Sequence, residues 1–132
     1  MTNETVNDID QQEDLRALAD DYIKAWSATD ANTRNDLVAE VYAEDAEFFS
    51  SEDGDLRLQG RTDIAENIGH VNERDIQGRG LAIKHMGTFV NHRVAKVTWQ
   101  MVTNDGGVAL AGMNVIVLNS SGKIAQDFIF IG

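Results

Sequence analysis

Cysteine and proline are both missing from the 132 residues. Without thiols the chain can form neither disulfides nor a thiolate site, and that absence leaves the compartment open rather than marking it as reducing. Without proline, the ends of helices and strands fall to glycine and asparagine. Basic residues are scarce: 11 Lys and Arg against 22 Asp and Glu give a formal net charge of -11, which repels phosphate backbones and anionic lipid surfaces. Neither nucleic acid nor a membrane is therefore expected as a partner. No apolar run approaches the roughly 20 residues that span a bilayer, and no basic segment joins an apolar one near the start. A cytoplasmic protein is expected. His70 and His92 form no His-x-His or His-Glu-x-x-His arrangement, so no metal site is expected from them. The acids Glu52, Asp53 and Asp55 around Gly54 lack the alternating oxygen ligands and distal Glu of a calcium loop and read as a solvated acidic loop. Gly78-Arg79-Gly80 lacks the strand-to-helix setting of a dinucleotide site, and no phosphate-cradling loop is present, so no cofactor is expected.

What the chain does contain is strand signal in its last third. Four runs of strand formers between Ile83 and Ile131 are separated only by Asn91-His92, Asn104-Asp105-Gly106-Gly107 and Asn119-Ser120-Ser121-Gly122. Strands joined so tightly pair antiparallel, because a parallel return needs a crossover of about a dozen residues or more. The alternation Ala95, Val97, Trp99, Met101 against Lys96, Thr98, Gln100 gives one apolar face. The same rule sends Ile83, His85, Gly87 and Phe89 inward. The first half reads as helices. Leu15, Leu18, Ala19, Tyr22, Ile23 and Trp26 form one stripe at three- and four-residue spacing. A second helix is expected from about Thr33 to Tyr42, capped by Thr33 or Asp30; Arg34, near Asp36 and Glu40, is expected in surface or interface ion pairs. A strand follows over residues 46–50, then a loop over 51–60. A third helix starts near Thr62, carries Ile64, Ile68 and Val71, and is broken by Gly78-Arg79-Gly80. Residues 1–12 are polar and aperiodic and read as a flexible acidic tail, leaving residues 13–132 as a single domain.

This order of elements, with Tyr22-Ile-Lys-Ala-Trp26, Tyr42-Ala-Glu-Asp45-Ala-Glu-Phe48, Gly60, Val97-Thr-Trp99, Gly112-Met-Asn114-Val and Gly122-Lys-Ile124, resembles the SnoaL-like branch of the nuclear transport factor 2-like superfamily. The resemblance implies an α+β cone-shaped barrel, three N-terminal helices on a curved, mostly antiparallel sheet, and a homodimer through the outer sheet face. It also implies relatives among ketosteroid isomerases, polyketide cyclases, limonene epoxide hydrolases and dehydratases. Their catalytic positions match only in part. Ser50 stands where the isomerases place a general-base Asp, while Tyr22 matches their oxyanion-binding Tyr. Asn114 stands where the cyclases carry an Asp. The Arg and Asp of the epoxide hydrolases fall on Gly112 and Asn114, their water-holding Tyr and Asn fall on Phe48 and Ser50, and only their second acid is matched, by Asp127.

Asp127 lies in the mostly apolar run Ala125-Gln126-Asp127-Phe128-Ile129, where facing an apolar interior would raise its pKa and fit it to move a proton; the alternative is an acid paired or solvated at a strand end. His85 titrates in the physiological range and is the second candidate, against a role as a satisfied core residue. Tyr22 could polarise a carbonyl or serve only as core. Asn114, a polar side chain among apolar strand neighbours, is expected to hold a ligand by hydrogen bonding. Trp26, Trp99, Phe49, Ser50, Met101 and Met113 are expected to line the pocket. The expected function is a pocket protein that takes a small hydrophobic molecule; as an enzyme its reaction would be cofactor-free acid-base isomerisation, cyclisation, dehydration or hydration. The alternatives are a non-catalytic ligand-binding protein and a dimeric partner-binding module.

Overall fold

Leu15, Ala19, Tyr22, Ile23 and Trp26 are all buried along one side of the first helix, so the apolar stripe read from the sequence is the surface by which that helix meets the sheet. The structure, a computed structural model, describes residues 2–52 and 54–132, with side chains from residue 12 onward. Helix α1 is Thr2–Ser27 and α2 is Ala31–Val41. Strands β1 (Tyr42–Ser50) and β2 (Leu56–Gln59) come next, then α3 (Arg61–Val71) running straight into a π-helical turn, Asn72–Gln77. Strands β3 (Ala82–Asn91), β4 (Val94–Val102), β5 (Val108–Leu118) and β6 (Ile124–Ile131) complete the chain. Among the described residues no helix is long and apolar enough to cross a membrane.

Several boundaries differ from those expected. Helix α1 begins at Thr2, inside the segment read as a tail over residues 1–12; once a helix is nucleated on its packed turns, adding polar residues costs little. The cap of α2 is Asp30, whose carboxylate accepts from the Thr33 backbone N–H at 2.9 Å, and Tyr42 belongs to β1 rather than to the helix. The loop over 51–60 contains β2, a four-residue strand too short to show alternation in sequence. Arg34 is not at the surface: it is 6% exposed, and none of the ion pairs among the described residues includes it.

The six strands lie in the order β2-β1-β6-β5-β4-β3. The three hairpins of the last third are antiparallel as their short turns require, and β1 pairs parallel with β6 across the whole intervening chain. The sheet is open. A barrel would need the edge strands to meet, but β2 pairs only with β1 and β3 only with β4, so the three helices cover one face of a six-stranded sheet instead of a closed cone. The core lies between that face and the helices, where Val38, Val41, Phe48, Ile64, Ile68, Val97, Ile116 and Ile124 are buried.

Candidate active site

Asp127 is the centre of the inner face. Strand β6 pairs it with Phe48 of β1 on one side and Ile116 of β5 on the other, and its carboxyl group is wholly buried. A buried carboxylate must be hydrogen-bonded, and three donors from three other elements converge on it. Tyr22 of α1 donates its hydroxyl to Oδ2 at 2.9 Å, Tyr42 at the head of β1 donates to the same oxygen at 2.6 Å, and Asn114 Nδ2 of β5 donates to Oδ1 at 2.8 Å. Asn114 is itself held, because its Oδ1 accepts from Trp99 Nε1 at 2.8 Å. Trp26 Nε1 is buried and makes no hydrogen bond; one of its electrostatic neighbours is the Tyr42 hydroxyl.

The charges follow from this packing. Burial pushes Asp127 up to about 6, against the opposing pull of its donors Tyr42, Asn114 and Tyr22. Burial, and then the negative charge of Asp127, hold both tyrosines well above the usual phenol range. The phenols therefore stay protonated while the carboxyl group exchanges its proton close to neutral pH.

Above this group is a cavity of about 300 Å³, walled by Tyr22, Ile23 and Trp26 of α1, Phe48 and Ser50 of β1, Ile83 of β3, Trp99 and Met101 of β4, Leu110 and Asn114 of β5, and Ile129 and Ile131 of β6. Tyr22 and Asn114 thus touch both Asp127 and the cavity. Glu52, Asn67, Arg74 and Asp75 add polar groups to the wall. Asp75 is ionised more readily than an ordinary carboxyl because Arg74 and Arg79 bond to it, Arg74 Nη2 at 2.9 Å and Arg79 Nη1 at 3.3 Å. The π-helical turn that carries these groups is tied to α1 by Asn72, whose Nδ2 donates to the Trp26 carbonyl at 2.8 Å and whose Oδ1 accepts from Gln77.

Of the residues singled out from sequence, Asp127, Tyr22 and Asn114 come together, and Trp26, Trp99, Ser50 and Met101 line the cavity with them. His85 does not join them. It faces the helices from the edge strand, where its Nδ1 lies 3.1 Å from Asp20 Oδ1 and its Nε2 2.7 Å from Thr88 Oγ1, so it fastens β3 to α1. Phe49 lies on the opposite face, stacked on Phe128 at 4.7 Å, because β1 alternates inward through Ala46 and Phe48. Met113 also faces outward, its register partners Thr98 and Phe130 being on the outer face, while Gly112 and Asn114 face in. The alternation of β3 predicts Phe89 inside, but it is 57% exposed; a bulge between His85 and Gly87 reverses the alternation and puts it opposite Lys96.

Sequence reasoning missed Tyr42 and Phe48 as site residues, and Glu52, Asn67, Arg74 and Asp75 as part of the cavity wall. Tyr42 gave only an apolar-stripe signal, and Asn72-Glu73-Arg74-Asp75 reads like any solvated helix end. Asp53 lies outside the described residues, so the acidic loop is known only from Glu52 and Asp55. Among the described residues no three His, Asp or Glu side chains converge on a point that could hold a metal.

Gly112 is required by its packing. A Cβ there would stand 2.7 Å from Trp99 Cζ2 and 2.6 Å from the Phe130 carbonyl oxygen, so the Trp99 ring occupies the space that a larger side chain would need.

The SnoaL-like domain family matches residues 19–126, and the chain belongs to that family. Solved structures agree in fold. A candidate isomerase of the SnoaL-like family from Agrobacterium tumefaciens str. C58 is 21% identical, with 91% of this chain and 98% of that one covered and a TM-score of 0.79. A candidate ketosteroid isomerase from Kribbella flavida DSM 17836 is 16% identical over 91% of this chain and 78% of that one, with a TM-score of 0.69. A candidate polyketide cyclase from Sinorhizobium meliloti is 18% identical over 86% of this chain and 94% of that one, with a TM-score of 0.65. No curated protein matches the sequence.

Proposed function

We propose that the cavity takes a small, mostly apolar molecule bearing an oxygen acceptor, and that the protein performs cofactor-free proton transfer on it, in the class of isomerisations, cyclisations, dehydrations or hydrations. The observation that carries this reading is the Tyr22–Asp127 contact at 2.9 Å, one end buried and the other on the cavity wall.

When Asp127 is ionised, the Tyr22 proton is directed at its carboxylate. When Asp127 is protonated, its O–H can donate to the Tyr22 oxygen, which turns the phenolic O–H toward the ligand. A carbonyl or hydroxyl oxygen in the cavity then accepts from Tyr22, and a proton can pass from Asp127 through Tyr22 to that oxygen while solvent water takes up the proton that the ligand releases at carbon, leaving the carboxylate held by Tyr42 and Asn114. Asn114 positions Asp127, and Trp26, Phe48 and Trp99 hold an apolar ring by contact. The name of one structural relative, a candidate ketosteroid isomerase, fits such a carbonyl-bearing ligand.

A non-catalytic binding role is favoured by one observation: Ser50, at the cavity wall where the isomerases have their base, cannot take up a proton near neutral pH. Turnover separates the two readings. A panel of cyclic enones and hydroxyketones, followed for exchange of the α-proton with deuterium, should show exchange that Tyr22→Phe reduces by about a hundredfold or more, the scale of losing one preorganised donor. Saturable binding with no exchange for any of them would assign the protein to the binding class.

The homodimer is also part of the proposal. The outer sheet face carries Phe49, Phe128 and Met113 beside the half-exposed Phe89 and Phe130, and sedimentation equilibrium should report twice the chain mass.

A further inference from the structure

We propose that a second site, the open cleft between α2 and α3, binds a small oxyanion, a phosphate or a carboxylate, through Arg34. This site is separate from the cavity and does not depend on the function proposed for it. The cleft has a volume of about 470 Å³ and is bounded by Arg34, Asn35 and Val38 of α2, by Arg61, Thr62 and Gly69 of α3, and by His70 at the end of that helix.

Arg34 is the unusual member. It is 6% exposed, yet only one of its N–H groups is placed: Nη1 donates to the Ala28 carbonyl, just past the end of α1, at 3.2 Å. Nε is buried and makes no hydrogen bond. Nη2 lies against Gly69, where even a Cβ would stand 3.4 Å away. Among the described residues no carboxylate lies within ion-pair distance of the guanidinium, and Asp30 feels its charge only from further off. The C-terminal end of α1 contributes a partial negative charge.

That end and one neutral acceptor do not offset the cost of removing a guanidinium from water, which takes a full countercharge and several hydrogen bonds. A planar fork whose Nε–Nη2 edge carries no hydrogen bond is of the kind that binds carboxylate and phosphate in bidentate fashion. Arg61, which ties α2 to β1 through the Ala39 and Tyr42 carbonyls at 3.3 Å each, adds a second positive charge. Glu66 and Glu73 also border the cleft and oppose an anion. Glu66 lies 3.8 Å from His70, and the net charge of -11 disfavours any anion at long range. The site therefore selects a ligand that reaches Arg34 directly, not one drawn in by the general field.

The test is a titration of the full chain, followed by the Arg34 Nε–H resonance and the Gly69 amide. Inorganic phosphate and acetate are added separately, each against sodium chloride of equal ionic strength. A saturable shift with phosphate alone assigns a phosphate-class ligand, and a shift with acetate as well assigns the carboxylate class. Chloride should produce none. In Arg34→Gln the Gly69 response should weaken by about tenfold or more, the loss of one charge-assisted contact. No saturable shift with either oxyanion, or an undiminished Gly69 response in Arg34→Gln, overturns the proposal. If that variant does not fold, the titration of the natural chain decides alone.

Discussion

Asp127 is expensive to keep ionised where it is, and that cost has a measurable sign. Its folded-state pKa of about 6 lies above the value of an unfolded aspartate, so its contribution to stability is fully present below the unfolded pKa and is lost as pH rises through 6. The natural chain should thus lose about 2 kcal/mol relative to Asp127→Asn between pH 4 and pH 7, read by urea unfolding of both at several pH values. A flat difference between the two would show that the carboxyl group is not desolvated. The donors act in the opposite direction. Because Tyr22 and Tyr42 stabilise the carboxylate, Tyr22→Phe and Tyr42→Phe should each move the Asp127 titration above 6, as followed by the carboxyl carbon resonance. A titration that stayed in place would mean that the hydroxyls do not reach Oδ2.

At the scale of elements, the site depends on two junctions. Gly112 lets β5 pass beneath the Trp99 ring, with a Cβ position 2.7 Å from Cζ2. Gly112→Ala should therefore destabilise by about 1–3 kcal/mol and shift the fluorescence of Trp99 as its bond to Asn114 is disturbed; thermal unfolding and emission spectra check both. Asn72 joins the π-helical turn to α1, so Asn72→Ala, which leaves the buried Trp26 carbonyl without its donor, should cost about 1–3 kcal/mol by urea unfolding.

The sequence made most of these elements legible because their signals are local. The stripe from Leu15 to Trp26, the Asp30 cap and the tight turns of the last third each depend on residues close together in the chain, and each appears in the structure. What was not legible depends on long-range pairing. Phe48 and Phe49 are adjacent, and so are Met113 and Asn114; only the pairing of β1 with β6 and of β5 with its neighbours decides which of each pair faces inward, since a one-residue slip exchanges the faces. The bulge before Gly87 likewise leaves no trace in the alternation, and it moves Phe89 out of the core. Tyr42 reaches Asp127 across 85 positions of sequence, a contact that no spacing rule supplies.

For the molecule as a whole, an open sheet with helices on one face leaves a cavity at the layer between them, and the two tryptophans of the chain, Trp26 and Trp99, both border it. Intrinsic fluorescence therefore reports occupancy directly. The measurement that tests the account most simply is a fluorescence titration of the natural chain and of Tyr22→Phe with a planar cyclic enone, repeated from pH 5 to pH 8. A saturable change is predicted, with affinity falling as pH rises through 6 and Asp127 ceases to release the Tyr22 proton, and with binding about tenfold weaker in Tyr22→Phe. Emission that does not saturate, or affinity indifferent both to pH and to the loss of the Tyr22 hydroxyl, would contradict it.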